Sequence, residues 1–236
     1  SLAIYFLKKK KNIIVEKPLL MNKNQQNQIE KLLKLNKNKL IVSYPYLFSK
    51  TLLFAKKILL SKRLGRLEYV EINLQQCGRF MKYDVNYLLA PHAISILSMF
   101  YNIKNIKYNL HNIIKRNNKA ETSLITCSIK NKIVASINLS LNYSSIKNKK
   151  NINFFLNKGT ILCNLNNNNY TLESFKYSRV NKKNYKIAKV RNYINKFFDE
   201  KNNMESVIKN FYFGKKDIFN FELTKNINNF LTYSKN

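Results

Sequence analysis

The sequence has few cysteines and no long apolar run. Its three cysteines, Cys77, Cys127 and Cys163, include no CxxC pair, which argues against a disulfide framework and a zinc ribbon. We therefore expect no metal site and a reducing, cytoplasmic environment. Lysine interrupts every apolar stretch, that of 52–60 included, before it reaches the roughly 20 residues that a membrane-spanning helix requires. The first residues lack a cleavable-signal pattern, so we expect no membrane partner.

Acidic residues, glycine, proline and tryptophan are scarce as well. With 43 basic and 12 acidic residues, the formal net charge is +31, which by itself favours a polyanion such as nucleic acid. Asparagine, isoleucine, tyrosine and phenylalanine are abundant, however, while the chain has 4 glycines, 3 prolines and no tryptophan. This composition is typical of AT-rich codons, which raise the lysine content without selection for binding. Because the charge is spread along the chain, specific nucleic-acid binding is the minority hypothesis.

Residues 1–63 combine short β-branched strands with amphipathic helices. The strands are predicted at 12–15 and 40–44. Asn22 and Ser49 are placed to cap the helices that follow them. Short buried strands that are separated by amphipathic helices indicate a parallel sheet. We therefore predict a partial parallel α/β unit in this part of the chain.

Residues 64–236 show mainly the period-two alternation of β-strands. The predicted strands are 70–74, 106–115, 124–129, 133–141, 152–156 and 160–165. A turn at 157–159 makes the last two a hairpin, and Pro91 is expected to open a helix that runs to Phe100. Helical spacing returns after Met204. Two segments carry no predicted element, the polar loop 166–169 and the poorly periodic 176–201. We predict an antiparallel sheet of at least four strands, closed by C-terminal helices.

The first candidate for chemistry is the sequence Glu16-Lys17-Pro18, which directly follows the predicted strand at 12–15. Open parallel sheets place ligand contacts at the carboxyl ends of their strands. A lysine there is suited to contact a polar or anionic ligand. The alternative is a surface turn that happens to contain a lysine.

Two further candidates precede or begin the predicted helix after Pro91. His92 is one of two histidines, and a helix N-terminus favours the neutral imidazole, which accepts a proton. The alternative is a capping or core histidine. Arg79 and Asp84 form a possible charged pair between strand and helix, which can hold a polar substrate or simply hold each other together.

Six segments carry a resemblance to a known family. They are "NIIVEKPL" (12–19), "IVSYPYLFS" (41–49), "GRLEYVEI" (65–72), "LAPHAISIL" (89–97), "LNKGTI" (156–161) and the helical segment 204–233. In this order and spacing they resemble the glucose-fructose oxidoreductase, inositol dehydrogenase and MocA family (Gfo/Idh/MocA) of NAD(P)-dependent oxidoreductases, in its sugar-nucleotide-type branch. The resemblance covers nearly all of the chain and begins after the family's first few strand-helix units.

The resemblance implies an α/β plus α+β fold. Residues 1–63 would be the C-terminal remnant of a Rossmann-like parallel sheet, a partial dinucleotide-binding domain. Residues 64–236 would be a large, mainly antiparallel sheet domain with flanking helices, which holds the substrate and packs subunits together. We therefore expect a homo-oligomer that forms through the C-terminal sheet.

The resemblance also implies hydride transfer between the nicotinamide of NAD or NADP and a hydroxyl-bearing carbon of a sugar, sugar nucleotide or polyol. Lys17 would stabilise a developing alkoxide or polarise a carbonyl, and His92 would be the general acid/base. The cofactor contacts would come from Glu16, Lys17, Pro18 and Tyr44. The substrate contacts would come from Arg79, Asp84 and His92.

The sequence departs from the family's pattern at two places. Leu88 stands where the family usually has an aspartate four residues before the histidine, and Ala93 follows the histidine. The glycine-rich turn that receives the cofactor's pyrophosphate has no counterpart among the 4 glycines. We therefore expect a truncated or degenerate form of an oxidoreductase. The alternative is a non-catalytic relative that serves ligand sensing or oligomerisation.

Overall fold

The structure is a computed structural model that describes residues 1–77, 83–143, 145, 148–166, 169–179, 185–196, 203–213 and 218–233. In chain order its helices are α1 (Leu2–Lys8), α2 (Lys23–Asn36), α3 (Lys50–Leu60), α4 (Val85–Leu97), α5 (Asn203–Phe213) and α6 (Ile218–Tyr233). Its strands are β1 (Ile13–Val15), β2 (Leu40–Val42), β3 (Leu67–Gln75), β4 (Lys107–Arg116), β5 (Lys119–Ile129), β6 (Lys132–Ser140), β7 (Lys149–Leu156), β8 (Gly159–Asn164), β9 (Asn169–Arg179) and β10 (Tyr185–Lys196). Short 3₁₀-helices lie at Pro45–Phe48 and Ile103–Asn105.

Contacts between residues divide the chain into two compact units. Unit 1 consists of residues 1–48, 86–104 and 202–236, and unit 2 consists of residues 49–85 and 105–201. Each unit is built from segments that are distant in sequence. The boundary at residue 63 concerns domains and stays a prediction.

Unit 1 contains a two-stranded parallel sheet, as the alternation of strands and helices predicts. β1 pairs with β2 in register, with Ile13 opposite Leu40 and Val15 opposite Val42. The buried core around this sheet consists of Ile4, Leu7, Met21, Ile29, Leu40 and Phe221. Side chains from α1, α2 and α6 thus cover the sheet, which is the arrangement that parallel strands require.

Two asparagines of α6 hold the backbone of unit 1 in place. The side-chain amide of Asn220 accepts a hydrogen bond from the Val42 N–H at 2.7 Å and donates one to the Val42 carbonyl at 3.0 Å. Asn228 makes the same pair of bonds with the backbone of Met21. Both amides are buried, so these bonds satisfy backbone groups that water does not reach.

The two predicted helix caps are confirmed. Asn22 Oδ1 accepts from the Gln25 N–H at 2.9 Å while Gln25 Oε1 accepts from the Asn22 N–H at 3.1 Å, which makes a full capping box at the start of α2. Ser49 Oγ accepts from the Leu52 N–H at 3.4 Å at the start of α3. Each cap satisfies backbone donors that have no partner within their helix.

Unit 2 is organised around an eight-stranded sheet with the order β10-β9-β8-β7-β3-β6-β5-β4. The β3–β6 pair is parallel and the other neighbouring pairs are antiparallel. One face carries fully buried apolar side chains, among them Val70, Ile72, Ile137, Leu139, Ile152 and Phe154. The mainly antiparallel sheet, the hairpin at 157–159 and the two C-terminal helices are confirmed, and so is the fold class.

The sheet extends further than predicted. β9 and β10 lie in a region where the sequence shows no strict period of two, because the apolar positions change parity within each strand, from Leu172 to Phe175 and from Ile187 to Val190. Asn169, predicted in a loop, begins β9, while residues 167–168 lie outside the described part of the chain. Two strands at one end of the sheet were therefore missed.

The prediction that Pro91 opens a helix is wrong. α4 begins at Val85, so Pro91 lies inside the helix and His92 lies near its middle. A proline costs an interior hydrogen bond because it has no N–H. The leucines and alanine before it favour helix strongly enough to continue through the interruption. The argument that a helix N-terminus keeps His92 neutral therefore does not apply.

Gly65 gives a test of the fold of unit 2. Its backbone has φ of +80°, and a Cβ placed on it would lie 1.8 Å from Asn157 Oδ1. That oxygen accepts from the Arg66 N–H at 2.9 Å. We expect Gly65→Ala to lower the free energy of unfolding by about 2–3 kcal/mol, the sum of left-handed strain and a lost hydrogen bond.

Urea unfolding of Gly65→Ala, Asn157→Ala and the double variant checks this prediction. The free energy of unfolding of the double variant should fall by less than the sum of the two single decreases, because the clash with a Cβ at residue 65 is absent once Asn157 is shortened. A Gly65→Ala variant as stable as the wild type would contradict the assigned backbone conformation.

Candidate active site

The carboxyl ends of β1 and β2 lie side by side because the two strands are parallel. Glu16, Lys17 and Pro18 follow β1, with Glu16 exposed and the other two half-buried. The Lys17–Pro18 peptide bond is cis. Tyr44 and Tyr46 follow β2. This edge of unit 1 is where an open parallel sheet offers its loops to a ligand.

The Lys17 ammonium is directed at helix α4. Its Nζ donates a hydrogen bond to the backbone carbonyl of Leu88 at 2.6 Å. Burial lowers the pKa of Lys17 from its ordinary value of 10.5, and the neighbouring Glu16 carboxylate opposes that shift only in part. Lys17 is therefore an amine with little water around it and a fixed backbone partner.

His92 belongs to the same part of unit 1. The rings of Tyr46 and His92 meet edge to face, with centroids 5.2 Å apart and an interplanar angle of 84°. Ser95 Oγ donates to the His92 carbonyl at 2.7 Å. Burial raises the pKa of the Tyr46 phenol, which keeps it neutral. The structure thus gathers Lys17, Tyr46 and His92 around the first two turns of α4.

Tyr44 lies in the interior. It is 1% exposed, and its hydroxyl is 3.2 Å from Thr224 Oγ1 on α6. Burial raises its pKa. This hydroxyl joins β2 to α6, while a cofactor contact by Tyr44 stays a prediction. Sequence reasoning missed Tyr46, because nothing in "YPY" distinguishes which tyrosine faces the histidine.

Arg79 and Asp84 are the remaining candidates. Arg79 lies outside the described residues. Asp84 belongs to unit 2, where its Oδ2 accepts from the Ala120 N–H at 2.9 Å. A substrate role for either residue stays a prediction. In the described ranges, no group of three or more His, Cys, Asp or Glu side chains is placed to hold a metal ion. No described helix has the length and apolarity needed to cross a membrane.

No protein-family model matches this chain, and no curated protein sequence matches it. Solved structures do match it. UDP-N-acetylglucosamine 3-dehydrogenase GnnA from Acidithiobacillus ferrooxidans is similar with a TM-score of 0.73 and 13% identity, over 95% of this chain and 72% of that one. KijD10, a 3-ketoreductase from Actinomadura kijaniata in complex with TDP-benzene and NADP, has a TM-score of 0.74 and 9% identity, over 96% and 70%.

An inositol dehydrogenase homolog from Azotobacter vinelandii, complexed with NADH and myo-inositol, has a TM-score of 0.64 and 11% identity over 82% of this chain. These neighbours are Gfo/Idh/MocA-type oxidoreductases. The fold is theirs. This chain spans 52% of the inositol dehydrogenase homolog and about seven-tenths of the other two. The likeness confirms the fold that the six sequence segments imply.

The lowered pKa of Lys17 predicts a dependence of stability on pH. Between that pKa and 10.5, the unfolded chain binds more protons than the folded chain, so raising the pH through this window favours folding. We expect the free energy of unfolding of the wild type, minus that of Lys17→Met, to increase as the pH rises from neutral toward 10.5.

Urea unfolding at several pH values measures this difference. The exposed Lys11→Met variant, from the same segment, is the matched control. A wild-type advantage that stays constant or falls with pH would contradict the placement of Lys17.

Proposed function

We propose that this chain forms the nicotinamide and substrate side of an NAD(P)-dependent oxidoreductase that acts on a sugar, sugar nucleotide or polyol. The observation that carries the proposal is the contact of Lys17, at the carboxyl end of β1, with the helix that presents His92. The fold of NAD(P)-binding sugar and polyol oxidoreductases supports it. The contact joins segments that are 71 residues apart in sequence.

Each residue has a chemical task in this proposal. The Lys17 ammonium stabilises negative charge on the substrate oxygen, and its low hydration strengthens that interaction. His92 receives or returns the hydroxyl proton. Tyr46 packs against the imidazole and keeps water from one of its sides. NAD(P), when bound, takes or supplies the hydride.

The residues present fit one end of this cofactor. Glu16, Lys17 and Pro18 lie at the sheet edge where a nicotinamide ring would be held. The chain has 4 glycines, and none of them belongs to a GxGxxG sequence. The proposal therefore assigns only the nicotinamide end of the cofactor to these residues.

The second candidate function is that of a non-catalytic relative which senses a sugar nucleotide. Leu88 favours it, because an apolar side chain stands where the resemblance expects a carboxylate near His92. In this chain the Lys17 ammonium binds the backbone of that residue instead. Such a protein would bind the sugar nucleotide but would not bind a nicotinamide cofactor.

The two candidates predict different ligands for His92. With histidines at 92 and 111, the ring C–H signals are assigned by comparison with His92→Asn. We expect reduced nicotinamide mononucleotide to shift the His92 signals, while AMP leaves them unchanged because it has no nicotinamide ring to place beside the imidazole. His111, on β4 of unit 2, is the internal control.

NMR titration with each compound and with UDP-N-acetylglucosamine makes the comparison. A response to the sugar nucleotide alone would favour the sensing function. A lack of response to all three compounds would contradict both.

We also propose that the polar face of the sheet in unit 2 joins two copies of this chain. The face is defined by side chains that share register across five strands: Tyr69, Glu71, Asn73, Gln75, Thr122, Leu124, Thr126, Ser136, Asn138, Ser140, Asn151, Asn153, Phe155, Thr160, Leu162 and Asn164. Among the described residues these side chains include one carboxylate, that of Glu71, and the same register adds one lysine, Lys149 opposite Gln75, in a chain of net charge +31. Two such chains repel each other least at a face that carries few cations.

Amide groups make this face cohesive. Asn138 Nδ2 donates to Asn73 Oδ1 at 3.1 Å, and Asn153 Nδ2 donates to Glu71 Oε2 at 2.7 Å. A row of amides offers donors and acceptors to an identical row on a second copy. The occupant that fits this face is therefore another copy of the chain.

A charge placed at the centre of the face tests the oligomer. We expect Glu71→Lys to dissociate it, since two cations would then meet at the interface. Glu68→Lys, on the same strand but at the position where the register with β7 shifts, makes the same charge change outside the set of side chains that defines the face. Sedimentation velocity measures both variants, and a monomeric wild type or an undisturbed Glu71→Lys oligomer would contradict the assignment.

A further inference from the structure

The carbonyl of Leu88 lies in the turn of α4 that Pro91 interrupts. In a regular α-helix, the N–H of residue 92 is directed at the carbonyl of residue 88. Pro91, the residue before His92, has no N–H to donate to the carbonyl four residues earlier. The helical turn that leads into His92 therefore has one hydrogen bond fewer than an uninterrupted helix.

Lys17 reinforces this turn from outside the helix. Its Nζ donates to the Leu88 carbonyl at 2.6 Å, and a carbonyl oxygen has a second lone pair that stays available to a helical N–H. The bond fixes the orientation of the peptide group from which the backbone continues to His92. The ammonium is half-buried, so this carbonyl also compensates for water that it has lost.

Two other contacts act on His92 itself. Ser95 Oγ donates to the His92 carbonyl at 2.7 Å, on the C-terminal side of the residue. The Tyr46 ring meets the imidazole at 5.2 Å between centroids. Lys17 supplies the constraint on the N-terminal side. The backbone that carries His92 is thus held on both sides, and the Tyr46 ring packs against its imidazole.

We propose that Lys17 is a positioning residue for His92: its ammonium, bound to the Leu88 carbonyl, sets the turn of α4 that presents the imidazole to Tyr46. The consequence for catalysis rests on the proposed function, whereas the positioning is a property of the chain without cofactor. Lys17 then has two roles: its charge stabilises the substrate oxygen, and its hydrogen bond to the Leu88 carbonyl holds the helical turn before His92.

NMR of the free chain tests the proposal. In the wild type, we expect a nuclear Overhauser effect between the His92 and Tyr46 ring protons. Lys17→Met keeps the apolar stem and removes the donor, so this effect should be lost and the His92 C–H signals should shift. Lys17→Arg keeps a charged donor and should restore both toward the wild type. His111 should not respond in either variant.

The matched control is Lys11→Met, which makes the same substitution at an exposed lysine and should leave His92 unchanged. A purely structural role for Lys17 would lower stability without moving the His92 signals of the folded protein. Wild-type His92 signals and an intact contact with Tyr46 in folded Lys17→Met would overturn the proposal.

A wild-type measurement keeps the proposal testable if Lys17→Met does not fold. The Lys17–Leu88 bond should give a scalar coupling across the hydrogen bond, between ¹⁵Nζ of Lys17 and the carbonyl ¹³C of Leu88, and absence of that coupling overturns the proposal. No cofactor is used in either experiment. A failure of the proposed oxidoreductase function, seen with nicotinamide mononucleotide, is therefore distinguishable from a failure of the positioning role.

Discussion

The hydrogen bond from the Lys17 ammonium to the Leu88 carbonyl connects the parts of unit 1 to which chemistry is proposed. On one side of it lies the carboxyl end of a parallel sheet, and on the other lies the helix with His92. A half-buried ammonium needs an acceptor, and the second lone pair of the Leu88 carbonyl supplies one. The proposed roles of Lys17, Tyr46 and His92 all depend on this contact.

The buried amides of α6 provide the frame for that contact. Asn220 fixes the end of β2 and Asn228 fixes the backbone at Met21, before α2. Tyr44 adds a hydroxyl contact to Thr224 on the same helix. The C-terminal helix thus holds the loops that follow both strands, so the side chains of these loops need not be held by the ligand. A preorganised edge of this kind suits electrostatic stabilisation, which requires fixed groups.

Local patterns in the sequence predicted much of this structure. The caps at Asn22 and Ser49, the two short parallel strands and the hairpin at 157–159 all depend on residues close together in the chain. The interior position of Pro91 was missed because the helix-favouring residues before it carry α4 through the lost hydrogen bond. β9 and β10 were missed because their alternation of apolar and polar residues is interrupted within each strand. Which of the two tyrosines, Tyr44 or Tyr46, contacts His92 depends on where α6 and α4 pack. The residues around the two tyrosines in the sequence do not indicate it.

The central claim is that Lys17 and His92 face a nicotinamide and its substrate. A crystal structure of the protein grown with saturating NADH or NADPH tests it most directly. The account predicts the nicotinamide ring in contact with Lys17 and His92, at the carboxyl ends of β1 and β2. A cofactor bound elsewhere on the chain, or no bound cofactor while Lys17 remains on the Leu88 carbonyl, would contradict it.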